Sequence, residues 1–318
     1  MHKIVVDILR APTALSATMH PGISVQWTIA ALVGLLATAC SSPSGECTIA
    51  ADCASGICDT NGQCNNNGTA DGAPGDGSVD VDAALSACSS VVDGIITRDE
   101  LPMAAGLSAS FRVATSVTFD TAGTMVAETR TWDMDRPLAN DVDVEVVLSS
   151  LAGTWYEELF PTASYTGLLG GASDLIGVFR LADDGLYLLG VVSPEDGLSR
   201  TELKYDPVVL LMPLPLSQGV TWSTDAEVSG LASGIFSFFT ESYAGSADAS
   251  GSLLTPFGVF RTLRTRIDLT QTIGLLVTTT RQFNFVSECA GIVASIVSES
   301  NEENVEFMSA AELRRVIP

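Results

Sequence analysis

Across much of the C-terminal part of this chain every second residue is apolar, and no long stretch follows the 3.6-residue helical period. Such alternation sends successive side chains to opposite faces of an extended strand, one face for a core and one for water. Phe111, Val113, Thr115, Val117 and Phe119 alternate with Arg112, Ser116 and Asp120, and after the turn Asp120–Gly123 a strand opens at Met125 and Val126. The clearest hairpin signal is Asp183-Asp184-Gly185, flanked by apolar runs from Val178 to Leu181 and from Leu186 to Val191. Further strands are predicted over 206–212, 219–228, 234–243, 257–269, 273–287 and 291–298, and residues 309–316 read as one short helix. The chain from 88 to 318 is within single-domain length for an all-β fold. Its strand spacing predicts an antiparallel, mostly β sandwich or barrel. The continuous apolar runs Val208–Met212 and Ile235–Phe239 predict either burial on both faces or the apolar wall of a concave surface.

The N-terminal part follows different rules. Residues 29–37 form an uninterrupted apolar run of nine, preceded by Lys3 and Arg10. A spanning helix needs about 20 apolar residues, whereas an export signal needs only about 7–15. Cys47, Cys53, Cys58 and Cys64 then fall in a C-x5-C-x4-C-x5-C pattern. Eighteen residues bury no core of their own, so covalent staples must hold them. Disulfides suit an exported chain, and the paired C-x2-C knuckles of common zinc sites are absent. Four cysteines allow three connectivities, which stay open. Residues 65–87 are rich in Gly, Asn, Asp and Ala and contain no aromatic or basic residue. Such a segment buries too little apolar surface to offset the entropy of ordering and is read as an acidic linker. Asp71, Asp76, Asp80 and Asp82 within it match no calcium-loop spacing. The expected layout is therefore signal 1–39, cysteine-rich module 40–64, linker 65–87 and β-rich domain 88–318.

Composition excludes several functions. Removing residues 1–39 takes away Lys3, Arg10 and Asp7 and leaves 13 basic against 37 acidic side chains, a net charge of −24. That charge repels phosphate backbones, so nucleic acid is not an expected partner. Both histidines, His2 and His20, precede residue 40, which removes histidine-based triads, histidine-ligated zinc and imidazole switches. Lys204 is the only lysine after Lys3, and no serine lies three residues before it. No cofactor or metal motif is found.

Three side-chain groups remain as candidates. Asp141, Asp143 and Glu145 share one face of a strand, as a cation site or as edge charges that deter pairing with other chains, the second reading being favoured. Arg261, Arg264 and Arg266 concentrate positive charge; Arg264 and Arg266 fall on one face with Asp268, as an internal salt bridge rather than a ligand site. Glu157 and Glu158, beside Trp155, Tyr156 and Phe160, suit either a sugar site or a loop with core aromatics, the latter being favoured.

Leu35-Leu36-Ala37-Thr38-Ala39-Cys40-Ser41-Ser42 resembles the lipobox of bacterial lipoproteins, although Ala37 stands where Leu is commoner. The resemblance implies that Cys40 is lipidated and becomes the mature N-terminus. The alternative is an ordinary cleaved signal ending at Ala39. Cysteine parity favours the lipobox, because seven cysteines leave one over and Cys40 accounts for it. With Cys40 acylated and the four clustered cysteines paired locally, Cys88 and Cys289 remain to pair with each other. The rival leaves Cys289 a free thiol and pairs Cys88 into the module. That module loosely resembles the Dickkopf N-terminal cysteine-rich pattern. Pro213–Trp222, Thr255–Phe260 and Ala290–Val293 resemble steps found in bacterial lipoproteins of unassigned function, over about residues 206–298. By analogy with outer-membrane lipoprotein carriers, the implied architecture is an incomplete antiparallel barrel or β-clam, with a sandwich as alternative.

Together these readings give an expectation: a non-catalytic, lipid-anchored lipoprotein of the cell envelope, at the outer membrane or alternatively secreted or surface-exposed. It would bind an apolar small ligand or an envelope protein, and would meet the membrane through its lipid. The alternative is a histidine-free, carboxylate-dependent glycan hydrolase. Labelled palmitate should enter the wild-type chain and not the Cys40→Ser variant; equal incorporation in both would dismiss the lipobox.

Overall fold

Alternation becomes a single curled sheet in the computed structural model, which describes residues 93–170 and 174–318. The signal, the cysteine-rich module, the linker and Cys88 lie outside the described residues. The strands are β1 (Ile95–Ile96), β2 (Ser108–Thr118), β3 (Thr124–Val126), β4 (Thr129–Asp133), β5 (Val142–Val147), β6 (Tyr165–Leu168), β7 (Ile176–Ala182) and β8 (Gly185–Val192). There follow β9 (Glu202–Pro213), β10 (Leu216–Ser217), β11 (Thr221–Ala232), β12 (Ile235–Thr255), β13 (Gly258–Ile273), β14 (Leu276–Ser287), β15 (Gly291–Ser298) and β16 (Ser309–Val316). Twelve form one antiparallel path in the order β5-β2-β16-β15-β14-β13-β12-β11-β9-β8-β7-β6. Its two ends come together: Ser149, just past β5, exchanges N–H···O bonds of 2.8 and 2.9 Å with Thr166 of β6. That one bridge joins edges of six and four residues, so the sheet is a nearly closed barrel whose seam is otherwise unsealed.

β12 is the axis of the construction. Along its first part it pairs with β11, from Ile235 opposite Ala232 to Ser246 opposite Thr221. A bulge at Asp248 then bends it, and beyond the bulge it runs parallel to β4, with Ser252, Leu253 and Leu254 beside Thr131, Trp132 and Asp133. β4 comes so close that a Cβ on Gly251 would lie 2.2 Å from the Arg130 carbonyl oxygen, so only glycine fits there.

The bulge aims Asp248 at Arg264 on β13, whose side chain is 3% exposed. The guanidinium donates to both oxygens of Asp248 at 2.9 and 2.8 Å, to both of Glu306 at 2.7 and 3.1 Å, and to the Thr121 carbonyl at 2.6 Å. It lies 4.1 Å from the Phe283 ring centroid and 5.5 Å from that of Trp132. A charge so deeply placed is tolerable because every side of it meets a carboxylate, a carbonyl or an aromatic face. Thr121 is the second half of this joint. Its carbonyl also accepts from the Trp132 indole at 2.9 Å, and its hydroxyl donates to Glu306 at 2.8 Å. Together they seal an outer core of Trp132, Leu253, Phe283, Phe285, Phe307 and Leu313 under β4 and the segment 299–308. A second outer core, with Tyr156, Phe160, Leu189 and Val192, lies under the segment 149–163. The segment 95–105 packs Ile96 and Leu101 against Met212, Leu216 and Val286 at one end of the barrel, and β1 pairs there with β10.

The helix predicted for residues 309–316 is a correction: they form strand β16 between β15 and β2. Ala310 and Leu313 enter the outer core while Glu312 and Arg314 face inward, and a bulge next to Ala310 breaks the strict alternation. The strand predictions from 206 to 298 match β9 and β11–β15, with β12 continuing to Thr255, twelve residues past the predicted end.

Arg264→Met should destabilise the domain by about 2–3 kcal/mol in urea titrations, because it strands two partly buried carboxylates and the Thr121 carbonyl. Burial alone would raise the Glu306 pKa, but Arg264 and the Thr121 hydroxyl outweigh it and hold that carboxyl below the usual glutamate range. A carboxyl depressed in the folded state stabilises above its unfolded pKa and loses that contribution as pH falls through the folded one. Stability should therefore drop in acid below the ordinary glutamate range, and less steeply in Glu306→Gln.

Candidate functional site: the barrel lumen

Inward-facing residues do not fill the barrel. They surround a cavity of about 520 Å³ to which β2, β5–β9 and β12–β16 all contribute. One wall is apolar: Leu148, Leu169, Phe179, Leu188, Leu211 and Ile267 face the space. Where β7 turns inward, Phe179 stacks on Tyr165 with ring centroids 5.3 Å apart.

The facing wall carries polar residues in register. Thr265 lies opposite Asn284, Asn284 opposite Ser295, and Ser295 opposite Arg314, so four adjacent strands place one polar residue each on a single transverse row. Beside it, Gln282 and Glu312 flank Val297. Gln282 donates to the Asn284 side-chain oxygen at 2.6 Å, and Arg314 pairs with Glu312 at 3.1 Å. Arg314 Nε is buried and has no hydrogen-bond partner within the protein. Arg314 and Glu312 compensate each other's charge, so the row is polar without being strongly charged.

Deeper in, the inward register of β12 reads Phe239, Glu241, Tyr243. Glu241 is 2% exposed; it accepts from the Tyr243 hydroxyl at 2.5 Å and from the Gln271 amide at 2.8 Å. Burial raises its pKa, and the hydrogen bonds from Tyr243, Gln271 and Tyr205 offset only part of that rise. Burial, with the neighbouring Glu241 carboxylate, also pushes the Tyr205 phenol up; the Tyr243 phenol rises through burial and the coupled Tyr205 and Glu241. Tyr243 reaches the cavity wall, so this polar knot lies directly behind the space.

The residues singled out from sequence take other places. β5 is indeed an edge of the strand path; Arg112 grips its Asp143 at 2.6 and 2.9 Å, the fully buried Arg315 grips Asp141 just before the strand at 2.7 and 2.9 Å, and Glu145 is exposed. Arg264, Arg266 and Asp268 share the outer face, Arg266 pairing with Asp268 at 3.1 Å and Arg281 with the same carboxylate at 2.5 Å. Tyr156 and Phe160 are buried in the outer core, Arg200 lies 5.5 Å over Trp155, and Glu157 accepts from the Gly153 amide. Those aromatic faces serve packing. Cys289 sits in the β14–β15 turn, where its amide donates to the Glu100 carbonyl and the residue borders the lumen; Cys88, its expected partner, lies outside the described residues. Among the described residues no three His, Cys, Asp or Glu side chains converge as a metal site. Sequence reasoning missed Glu241, Glu312 and Arg314. For Glu241 the signal was available, as a carboxylate in the same register as Phe239 and Tyr243.

For an acid whose folded pKa is raised, the stabilising contribution is complete below the unfolded pKa and is lost as pH rises through the folded one. Glu241→Gln should therefore be more stable than the wild type at neutral and alkaline pH, with the gap closing in acid. Melting temperatures measured across pH check this.

No protein-family model matches the chain, and no curated protein matches it. Among solved structures the chain is similar to one from Parabacteroides distasonis described as a "putative lipoprotein", with 9% identity over 70% of this chain and 97% of that one, at a TM-score of 0.31.

Proposed function

We propose that this protein is a non-catalytic binding protein of the bacterial envelope, tethered through an acylated Cys40, whose lumen holds the apolar part of an amphiphile such as an acyl chain. The observation that carries this reading is the cavity, apolar on the β6–β9 wall and polar along one row of the β13–β16 wall. Its volume of about 520 Å³ is within the range of small-ligand pockets, which are mostly apolar with a few fixed polar groups. The hydrocarbon would lie against Leu188, Leu211 and Ile267, and the polar end would meet Asn284, Ser295 and the unengaged Nε of Arg314. Support for an envelope location is the lipobox-like sequence at Cys40 together with an acidic, histidine-free mature chain.

Native mass spectrometry of the purified chain should show co-purifying lipid, and titration with a fluorescent fatty acid should saturate near one per chain. Ser295→Phe, which places a ring in the cavity, should weaken probe binding at least tenfold while leaving the melting transition in place. A wild-type protein that carries no lipid and binds no acyl probe overturns the proposal.

A further inference from the structure

The antiparallel order puts the β8–β9, β11–β12 and β13–β14 turns at the same end of the barrel, because β9, β11, β12, β13 and β14 are successive neighbours. Their tips are apolar and uncovered. On the β11–β12 turn, Phe236 is 73% and Phe238 57% exposed, with Ile235 beside them. On the β13–β14 turn Leu275 is fully exposed and is followed by exposed Leu276 and Val277. Leu198 is fully exposed on the β8–β9 turn, which folds against the β11–β12 tip: Gly234 donates to the Arg200 carbonyl at 2.8 Å. Residues 229–240 and 269–280 contain no Asp, Glu, Lys or Arg, in a chain whose net charge is −23.

Exposed apolar patches of this kind mark contact sites, and the form of this one selects the partner. Ile235 and Phe236 are consecutive in a strand and so point to opposite faces of their hairpin; Leu276 and Val277 do the same on theirs, with Leu275 at the turn itself. Each tip is therefore apolar on both sides, whereas a protein partner would cover one side. Hydrocarbon surrounds whatever enters it, and each hairpin already pairs its own backbone groups, as entry into lipid requires. Acidic residues outnumber basic ones beside the tips: Glu195 and Asp196 precede Leu198, with Arg200 pairing to Asp196 at 3.3 Å, and Glu302 and Glu303 adjoin the point where Asn301 bonds to Thr279. The β12–β13 turn at the opposite end also exposes Phe257 and Val259, but there Arg261 follows directly and no second uncharged apolar hairpin tip stands beside it among the described residues.

We infer that this end of the barrel docks on a lipid bilayer, with the β11–β12 and β13–β14 tips inserted among the acyl chains and the acidic collar favouring zwitterionic over anionic headgroups. The inference is independent of what the lumen holds.

The test uses residues 40–318 with Cys40→Ser, so that no acyl anchor contributes, and flotation with phosphatidylcholine vesicles. Binding is expected, weakened when a third of the lipid is phosphatidylglycerol. Burying one such side chain is worth about 1.5–3 kcal/mol, so Phe236→Ser and Leu275→Ser should each lower partitioning about tenfold or more. Both sites are exposed, so the melting transition should stay where it is. In Phe236→Trp, emission should shift to the blue on vesicles and be quenched by lipids brominated in their acyl chains. No flotation of the parent chain, or serine variants that float equally well, overturns the inference. So does capture by an envelope protein through these tips with no vesicle binding.

Discussion

Two backbone hydrogen bonds between Ser149 and Thr166 give this sheet an inside. A twelve-strand antiparallel sheet twists and curls, but curling alone leaves two long edges and one face in water. Here the first and last strands of the path are the shortest, and they meet only at that bridge. Each backbone bond contributes only about 1 kcal/mol net, so packing must reinforce the closure. Leu148 does so: its side chain lies against Gly167, where a Cβ would be 3.3 Å from the leucine Cδ2, and its backbone bonds to Gly106 and Leu107. The lumen exists because the seam closes before the interior is filled.

The outer layer solves a different problem. Phe283 and Phe285 of β14 point away from the lumen and would lie in water if the barrel stood alone. The chain covers them with Trp132 of β4 and Phe307 of the segment 299–308, which belong to distant parts of the sequence. Arg264 and Thr121 bind those parts to the wall, and the bulge at Asp248 supplies the counter-charge. Charge here serves registration more than stability, since a guanidinium in this position accepts few other arrangements of its neighbours.

Much of this was legible in the sequence. A strand over residues 111–118 and the Asp183-Asp184-Gly185 turn appear where they were read, because period two and turn chemistry are local signals, although the positive φ of Ser116 breaks the alternation, so that Phe111 borders the lumen while Val117 and Phe119 join the outer core. The engagement of Arg264 within the molecule was legible as well, although its partners were not. Asp248 and Glu306 are 16 and 42 residues away, and only the bulge and the return of the segment 299–308 bring them near. Residues 309–316 misled because Glu, Arg and Ala favour helix intrinsically, while tertiary pairing between β15 and β2 overrides that preference. The lumen itself had no local signature. Its polar row arises from the registers of four strands, Thr265, Asn284, Ser295 and Arg314, and register is a property of pairs.

The change of partner along β12 has a mechanical meaning. Up to Ser246 the strand is held by β11 and β13, inside the continuous wall; past Asp248 its second neighbour is β4, a five-residue strand whose other companion is the three-residue β3. One covalent strand thus spans two cooperative units of unequal size. Loss of the small unit would cost the pairing at Ser252–Leu254 and uncover Trp132, yet leave the wall from β14 to β6 hydrogen-bonded. Local opening at one extremity of β12 is therefore separable from rupture of the barrel, since it breaks the three-residue pairing with β4 while the pairing with β13 holds.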